Sequence, residues 1–110
     1  MTGLEVSTAV QYRAKSKIVV FNDSAYRVLG VYEKVRFGGV TDELVRLPQV
    51  NFAMLAESLG ARGVVVHDRS ELMSALEEAL NTDKAYVVDV HIDPRTVLIP
   101  YQRLYGISTL

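Results

Sequence analysis

Residues 17–32, KIVVFNDSAYRVLGVY, contain the pattern that decides the fold. A β-branched apolar run ends abruptly in Asn22-Asp23-Ser24, and an amphipathic helical pattern begins at once. The run predicts a strand over Lys17–Phe21 that is buried on both faces, and the next residues predict a helix from Ser24 to about Val35. Such a turn places a carboxylate, an amide and backbone N–H groups at the carboxyl end of a strand, where open α/β sheets bind ligands. Helix N-termini also favour phosphate, so the pattern suits a metal-diphosphate site.

The same three polar residues have a simpler interpretation, in which they only start the helix. Asn, Asp and Ser are the preferred N-cap residues, and Asn or Asp side chains commonly close an Asx turn with their own backbone. His67 and His91, near the ends of two other predicted strands, have no His or Cys partner at ligand spacing and are interpreted as structural residues.

The composition is that of a globular chain that can form one domain with a modest core. Of 110 residues, 49% are hydrophobic and 23% are charged. The formal net charge of -1 gives no electrostatic reason to expect nucleic acid or an anionic membrane as a partner. The absence of Cys excludes disulfides, thiolate catalysis and zinc–thiolate sites. No apolar run approaches the roughly 20 residues that cross a bilayer, so we expect a cytoplasmic protein.

The remaining pattern predicts alternating helices and strands. In order, it predicts a helix over Met1–Ala14, a loop over Phe37–Pro48, a helix over Asn51–Leu59 ended by Gly60, a strand over Gly63–Val66, a helix from the capping box Asp68-x-x-Glu71 to Leu80, a strand over Ala85–Ile92, and an apolar tail over 95–110. This alternation predicts an α/β fold with a partial, doubly wound parallel sheet in three α/β/α layers.

Three segments together resemble the C-terminal part of the cofactor-binding domain of thiamine-diphosphate-dependent enzymes, most closely the acetolactate synthase and benzoylformate decarboxylase group. Residues 1–10, MTGLEVSTAV, resemble the helix that follows the Gly-Asp-Gly motif of the family. Residues 20–26, VFNDSAY, resemble its Asn-Asn end. The closing strand-helix-strand part is similar to NFAMLAESLGA, SELMSAL and VVDVHIDP, at residues 51–61, 70–76 and 87–94. The resemblance covers about residues 1–94, interpreted as one partial domain, and leaves 95–110 as a separate tail.

The resemblance implies a cofactor, a metal and their ligands. In the family, Mg²⁺ holds the diphosphate through the Asp of Gly-Asp-Gly, the second Asn of Asn-Asn and a backbone carbonyl two residues later. Carried over, these last two ligands are the Asp23 carboxylate and the Ala25 carbonyl, and the residues around the diphosphate are Asn22, Asp23, Ser24, Ala25 and Tyr26. Leu29 stands where pyruvate-type decarboxylases have a catalytic Glu. An apolar residue at this position resembles the acetolactate synthase and benzoylformate decarboxylase pattern instead.

The chain also departs from the family pattern. It begins just after the place where Gly-Asp-Gly should stand, and it contains no pyrimidine-binding domain, so an incomplete domain that is inactive alone is expected. The resemblance implies one subunit or fragment of an acetolactate synthase-like enzyme that decarboxylates or ligates 2-oxo acids. The open alternative is a non-catalytic oligomeric α/β protein that retained the fold. A sheet without its central strand has an apolar edge, which predicts either a homo-oligomer or a separate subunit supplying Gly-Asp-Gly and the pyrimidine domain.

Overall fold

A computed structural model describes residues 3–110, which form two compact units. The first unit joins the residues up to Asn22 with Asn51–Ile92, and the second joins Asp23–Val50 with Asp93–Leu110. In chain order the elements are α1 (Glu5–Gln11), β1 (Lys17–Asn22), α2 (Arg27–Phe37), α3 (Asp42–Val45), α4 (Phe52–Ser58), β2 (Arg62–Val66), α5 (Arg69–Asn81), β3 (Tyr86–His91) and α6 (Ile99–Tyr105).

The first unit contains a three-stranded parallel sheet in the order β1-β3-β2. β1 lies beside β3 with Asn22 opposite His91, and β2 lies on the other side of β3 with Val66 opposite Val90. Because the strands are parallel, their carboxyl ends lie along the same edge of the sheet. The predicted α/β fold and parallel sheet are confirmed.

The central strand β3 divides the core of the first unit into two apolar clusters. Val88 packs in the cluster that contains Ala75 of α5, whereas Val87 packs with Val6 of α1 and Ala56 of α4. Since neighbouring residues of a strand point to opposite faces, the sheet has α5 on one face and α1 and α4 on the other. This is the three-layer arrangement that the alternating pattern predicts.

Local helix signals in the first unit act as predicted. The Asn51 side chain accepts a hydrogen bond from the Met54 N–H at 2.8 Å and caps α4, and Gly60 follows α4 with a left-handed φ of +87°. Asp68 and Glu71 form the capping box that begins α5. The helix and strand bounds over residues 51–92 are therefore close to the predicted ones.

The prediction that β1 is buried on both faces is wrong. Val19 is 42% exposed and Phe21 is 68% exposed. Because side chains alternate along a strand, both lie on the face of the sheet against which α5 packs. The reason is that α5 packs against β2 and β3. Within residues 3–110, β1 lies at the edge of the sheet and pairs only with β3.

The rest of the chain differs from the prediction in four places. The helix predicted from Ser24 begins at Arg27, the predicted loop contains the single turn α3, and the tail contains α6. The first helix, predicted over Met1–Ala14, is Glu5–Gln11; Met1 and Thr2 lie outside the described residues. The division into a domain over 1–94 and a tail over 95–110 stays a prediction. None of the helices described between residues 3 and 110 has the length and apolarity needed to span a membrane.

Candidate functional site

The carboxyl end of β1 is held by a buried carboxylate on the central strand. Asn22, the last residue of β1, is 8% exposed, and its Nδ2 donates to Oδ1 of Asp89 at 3.0 Å. Asp89 is fully buried, and its Oδ2 accepts the backbone N–H of Phe52 at 2.9 Å. Both oxygens of the carboxyl group therefore have donors from neighbouring elements of the first unit, as a buried polar group requires.

Two histidines lie at the same edge of the sheet. The rings of His67 and His91 meet edge to face with centroids 4.7 Å apart, and His91 Nε2 lies 3.6 Å from Oδ2 of Asp89. Between residues 3 and 110, no group of three or more His, Cys, Asp or Glu side chains is placed to hold a metal ion. His91 Nε2 is buried and has no hydrogen-bond partner among the described residues, so the structural role of the two histidines stays a prediction.

Asp23 begins the second unit, and both of its carboxylate oxygens accept hydrogen bonds. Oδ1 accepts the backbone N–H of Ala25 at 3.1 Å, which closes an Asx turn. Oδ2 accepts Nε of Arg27 at 3.0 Å, and the side chains of Asp23 and Arg27 are only 16% and 17% exposed. The Asx turn of the simpler interpretation is therefore confirmed. Its N-cap part is wrong, because α2 begins at Arg27 after Tyr26 and has no side-chain cap.

The residues between the Asx turn and α2 pair with a neighbouring segment. Ser24 has a left-handed φ of 51°, and its carbonyl accepts the Leu47 N–H at 2.7 Å. The N–H of Tyr26 donates to the Val45 carbonyl at 2.7 Å, so Ala25 sits in an isolated antiparallel bridge with Arg46. The N–H groups of Ala25 and Tyr26 are consequently used within the chain, and the expectation of free N–H groups beginning a helix at Ser24 is wrong.

The donor set of this turn suits a hard divalent cation. Mg²⁺ prefers carboxylate and carbonyl oxygens and keeps several waters, and the two predicted ligands are the Asp23 carboxylate and the Ala25 carbonyl. Among residues 3–110, no backbone N–H outside the helices and strands donates to the Ala25 carbonyl oxygen. Thus the chemistry fits Mg²⁺, although a guanidinium already pairs with the carboxylate.

Arg27 is the unusual charge of this turn, and the motif-based prediction of the site does not include it. Its Nη2 atom is buried and has no hydrogen-bond partner among residues 3–110. The side-chain and backbone hydrogen bonds that Arg95 donates lower the pKa of Asp93, and the charge of Arg27 adds a smaller effect in the same direction. The sequence signal that could have identified it is its spacing, since an Arg four residues after an Asp on the same helical turn can form an ion pair with it.

Comparisons with known proteins agree with the resemblance. Residues 1–90 match the family described as the thiamine pyrophosphate enzyme C-terminal TPP-binding domain. YdaP of Bacillus subtilis (strain 168), whose name describes a thiamine pyrophosphate-containing protein, is 35% identical over 93% of this chain and 17% of its own length. The 3D-(3,5/4)-trihydroxycyclohexane-1,2-dione hydrolase of Halalkalibacterium halodurans is 30% identical over 88% of this chain and 16% of its own length. Acetolactate synthase of Bacillus subtilis is 26% identical over 84% of this chain.

The matched segment is a small part of each relative, since the chain spans only 16% to 17% of the length of these three proteins. The family match nevertheless covers most of this chain, and it contains the sheet and the turn after β1 described above. The chain therefore belongs to the family of thiamine pyrophosphate enzyme C-terminal TPP-binding domains.

Proposed function

We propose that this chain provides the diphosphate-binding turn of a thiamine diphosphate site. The residues assigned to the diphosphate are those that follow the apolar part of β1: Asn22, Asp23, Ser24, Ala25 and Tyr26. The observation that carries the proposal is the Asp23 carboxylate, which is held in an Asx turn and only 16% exposed, in a chain that matches the cofactor-binding family.

Mg²⁺ is the proposed link between the chain and the diphosphate. The Asp23 carboxylate and the Ala25 carbonyl are its proposed protein ligands, and water completes the coordination of an ion that dehydrates reluctantly. When bound, thiamine diphosphate supplies the carbanion chemistry of 2-oxo acid decarboxylation and carboligation. The residues of this chain bind and orient the diphosphate, and we assign none of them to the chemical step.

The proposed activity is that of an acetolactate synthase-like enzyme in the cytoplasm, to which this chain contributes one part. We propose that the chain is inactive alone and that a separately supplied polypeptide with Gly-Asp-Gly and a pyrimidine-binding domain completes the site. The small share of each relative that the chain spans, 16% to 17% for the three above, supports the need for further domains or subunits.

Calorimetric titration tests the cofactor proposal. With Mg²⁺ present, thiamine diphosphate should release heat on binding to the wild-type chain, and Asp23→Ala should weaken the binding at least tenfold because a metal ligand is lost. Asp42→Ala is the matched control, since Asp42 also pairs with an Arg four residues later but is exposed. The proposal of binding by this chain alone is abandoned if millimolar cofactor gives no heat. Equal affinity for the Asp23→Ala variant would remove Asp23 from the metal site.

A homo-oligomer that covers the open face of β1 is the second proposal. It is favoured by Val19 and Phe21, which are 42% and 68% exposed on an edge strand, because such strands readily pair with other chains. Sedimentation equilibrium should detect self-association that Phe21→Lys weakens. Phe37→Lys is the control because Phe37 is 77% exposed at the end of α2. A monomer at all concentrations would contradict this proposal without affecting the cofactor proposal.

A further inference from the structure

Arg27 is placed where a cation is electrostatically unfavourable. It is the first residue of α2, which has 11 residues, and the N-terminus of a helix carries a partial positive charge that disfavours Lys and Arg. Its Nη2 atom is buried without a hydrogen-bond partner in the described chain, and leaving such a donor unsatisfied is costly. The favourable contact that offsets both effects is the hydrogen-bonded ion pair with Asp23.

A second Arg–Asp pair with the same spacing shows what is special about this one. Arg46 and Asp42 are also four residues apart and bonded at 2.8 Å, but their side chains are 71% and 67% exposed. Solvent and salt screen such a surface pair, so it contributes little. The Asp23–Arg27 pair is about four-fifths buried, with 16% and 17% exposure. Removing Arg27 would therefore leave a poorly solvated carboxylate in need of another positive charge.

From this placement we infer that Arg27 is a built-in cation that a divalent metal ion must displace from Asp23. The inference rests on the proposed function, since it assumes that Asp23 is a metal ligand. A metal ion bound to either oxygen of Asp23 would lie within a few ångströms of the guanidinium that donates to Oδ2 at 3.0 Å. Two cations on one carboxylate repel each other, so metal binding and the ion pair compete. The competition makes the site bind metal weakly until the guanidinium moves away.

Once displaced from Asp23, the Arg27 guanidinium has N–H donors that can bind an anion. An Arg side chain has five N–H donors in a fixed fork that matches phosphate oxygens, and Nη2 of Arg27 has none of its hydrogen bonds satisfied in the described chain. The charge of Arg27 also contributes to lowering the pKa of Asp93, so Arg27 interacts electrostatically with a second carboxylate. The site would thus exchange an internal cation for a metal and release a donor that can bind a phosphate group.

Titration with Mn²⁺, followed by the loss of the free-ion electron paramagnetic resonance signal, tests this competition on the full chain. Arg27→Gln should bind Mn²⁺ about tenfold more tightly than wild type, because a cation within about 4–6 Å shifts an ionic equilibrium by at least one logarithmic unit. Arg27→Lys keeps the charge and should stay close to wild type. Arg46→Gln, in the exposed pair, should leave the affinity unchanged.

The outcomes separate this inference from the proposed function. Equal Mn²⁺ affinity of wild type and Arg27→Gln overturns the inference and leaves the metal site standing. No Mn²⁺ binding by any variant at millimolar ion overturns the metal site and the inference together. If Arg27→Gln does not fold by circular dichroism, the wild-type chain still gives an answer by nuclear magnetic resonance. Saturating Mg²⁺ should then shift the Nε–H signal of Arg27 and leave that of Arg46, and an unmoved Arg27 signal overturns the inference.

Discussion

Asn22 Nδ2 donates a hydrogen bond to Oδ1 of Asp89 at 3.0 Å, and this bond joins the last residue of the edge strand β1 to the central strand β3. The other oxygen of Asp89 accepts the N–H of Phe52 at the start of α4. One fully buried carboxylate thus fixes two elements at the carboxyl edge of the sheet. In consequence, the strand end that precedes Asp23 has a fixed side chain.

Replacing this carboxylate should destabilise the protein. Asp89→Ala removes the acceptor of the Phe52 N–H and of the bond from Asn22 Nδ2. Since losing the partner of a buried group costs about 1–3 kcal/mol, we expect a loss of about 3 kcal/mol in the free energy of unfolding. Urea denaturation followed by circular dichroism measures it. Asp89→Asn keeps one acceptor oxygen and should lose less, while the exposed Asp42→Ala should change stability by less than about 0.5 kcal/mol. A loss for Asp89→Ala as small as that of Asp42→Ala would contradict the prediction.

Gly63 should not tolerate a side chain, because α4 approaches β2 closely at this position. A Cβ atom added to Gly63 would lie 2.4 Å from the Ala53 carbonyl oxygen and 2.5 Å from its Cα atom. Both atoms are backbone, so the helix itself would have to move. We expect Gly63→Ala to lower the free energy of unfolding by about 3 kcal/mol, the upper part of the range for overpacked sites.

Gly39→Ala is the control for this prediction, since a Cβ atom at Gly39 would meet nothing within 4 Å. Thermal denaturation of the two variants should give a clearly lower melting temperature for Gly63→Ala alone. Similar melting temperatures for the two variants would show that α4 can shift away from β2 without loss.

Features set by neighbouring residues could be predicted from the sequence, and features set by distant ones could not. The Asn51 side chain caps the start of α4, and the left-handed φ angle of Gly60 follows its end. Both signals are local, so the sequence pattern is sufficient to predict them. The start of α2 was misplaced because the carbonyl of Val45, which is distant in sequence, pairs with Tyr26 and holds it outside the helix. The motif thus predicts a turn after β1, but the backbone conformation of this turn depends on the segment around Val45, about 20 residues away.

The same distinction explains the exposed strand and the buried carboxylate. A continuous apolar run such as β1 is typical of a strand buried on both faces, yet which strand lies at the edge depends on the order β1-β3-β2. The partner of Asp89 could not be read from its own strand, because Asn22 is 67 residues away. An isolated Asp in a strand that is otherwise apolar and buried is nevertheless a signal that a donor must face it.

Glu71 should make the protein more stable at neutral pH than in acid. The backbone N–H groups of His67 and Asp68 donate to its carboxylate and lower the pKa of Glu71 below 4.5 in the folded protein, with the His67 bond the larger cause. Because the folded pKa is lower than the unfolded one, this contribution is complete above the unfolded pKa and is lost as the pH falls through the folded pKa. Wild type should therefore exceed Glu71→Gln in stability at about pH 7, and the difference should shrink toward about pH 3.

Urea denaturation of both proteins across this pH range measures the difference. Glu77→Gln, on the same helix and also exposed, is the control and should show no such convergence with wild type. A difference between wild type and Glu71→Gln that stays constant down to about pH 3 would contradict the assignment of the effect to ionised Glu71.

Two side chains from different parts of the chain accept backbone N–H groups at the start of α4. The stability losses on removing the two acceptors should therefore not be additive. Asn51 accepts the Met54 N–H at 2.8 Å, and Asp89 accepts the Phe52 N–H at 2.9 Å. Asn51→Ala should cost about 1 kcal/mol, as is usual for an N-cap. When Asp89→Ala has already loosened this turn, the cap has less ordered structure to stabilise, and contacting sites show interaction energies of about 0.5 kcal/mol or more. A double-mutant cycle by urea denaturation should therefore give a combined loss smaller than the sum, whereas strict additivity would mean that the two acceptors hold the helix independently.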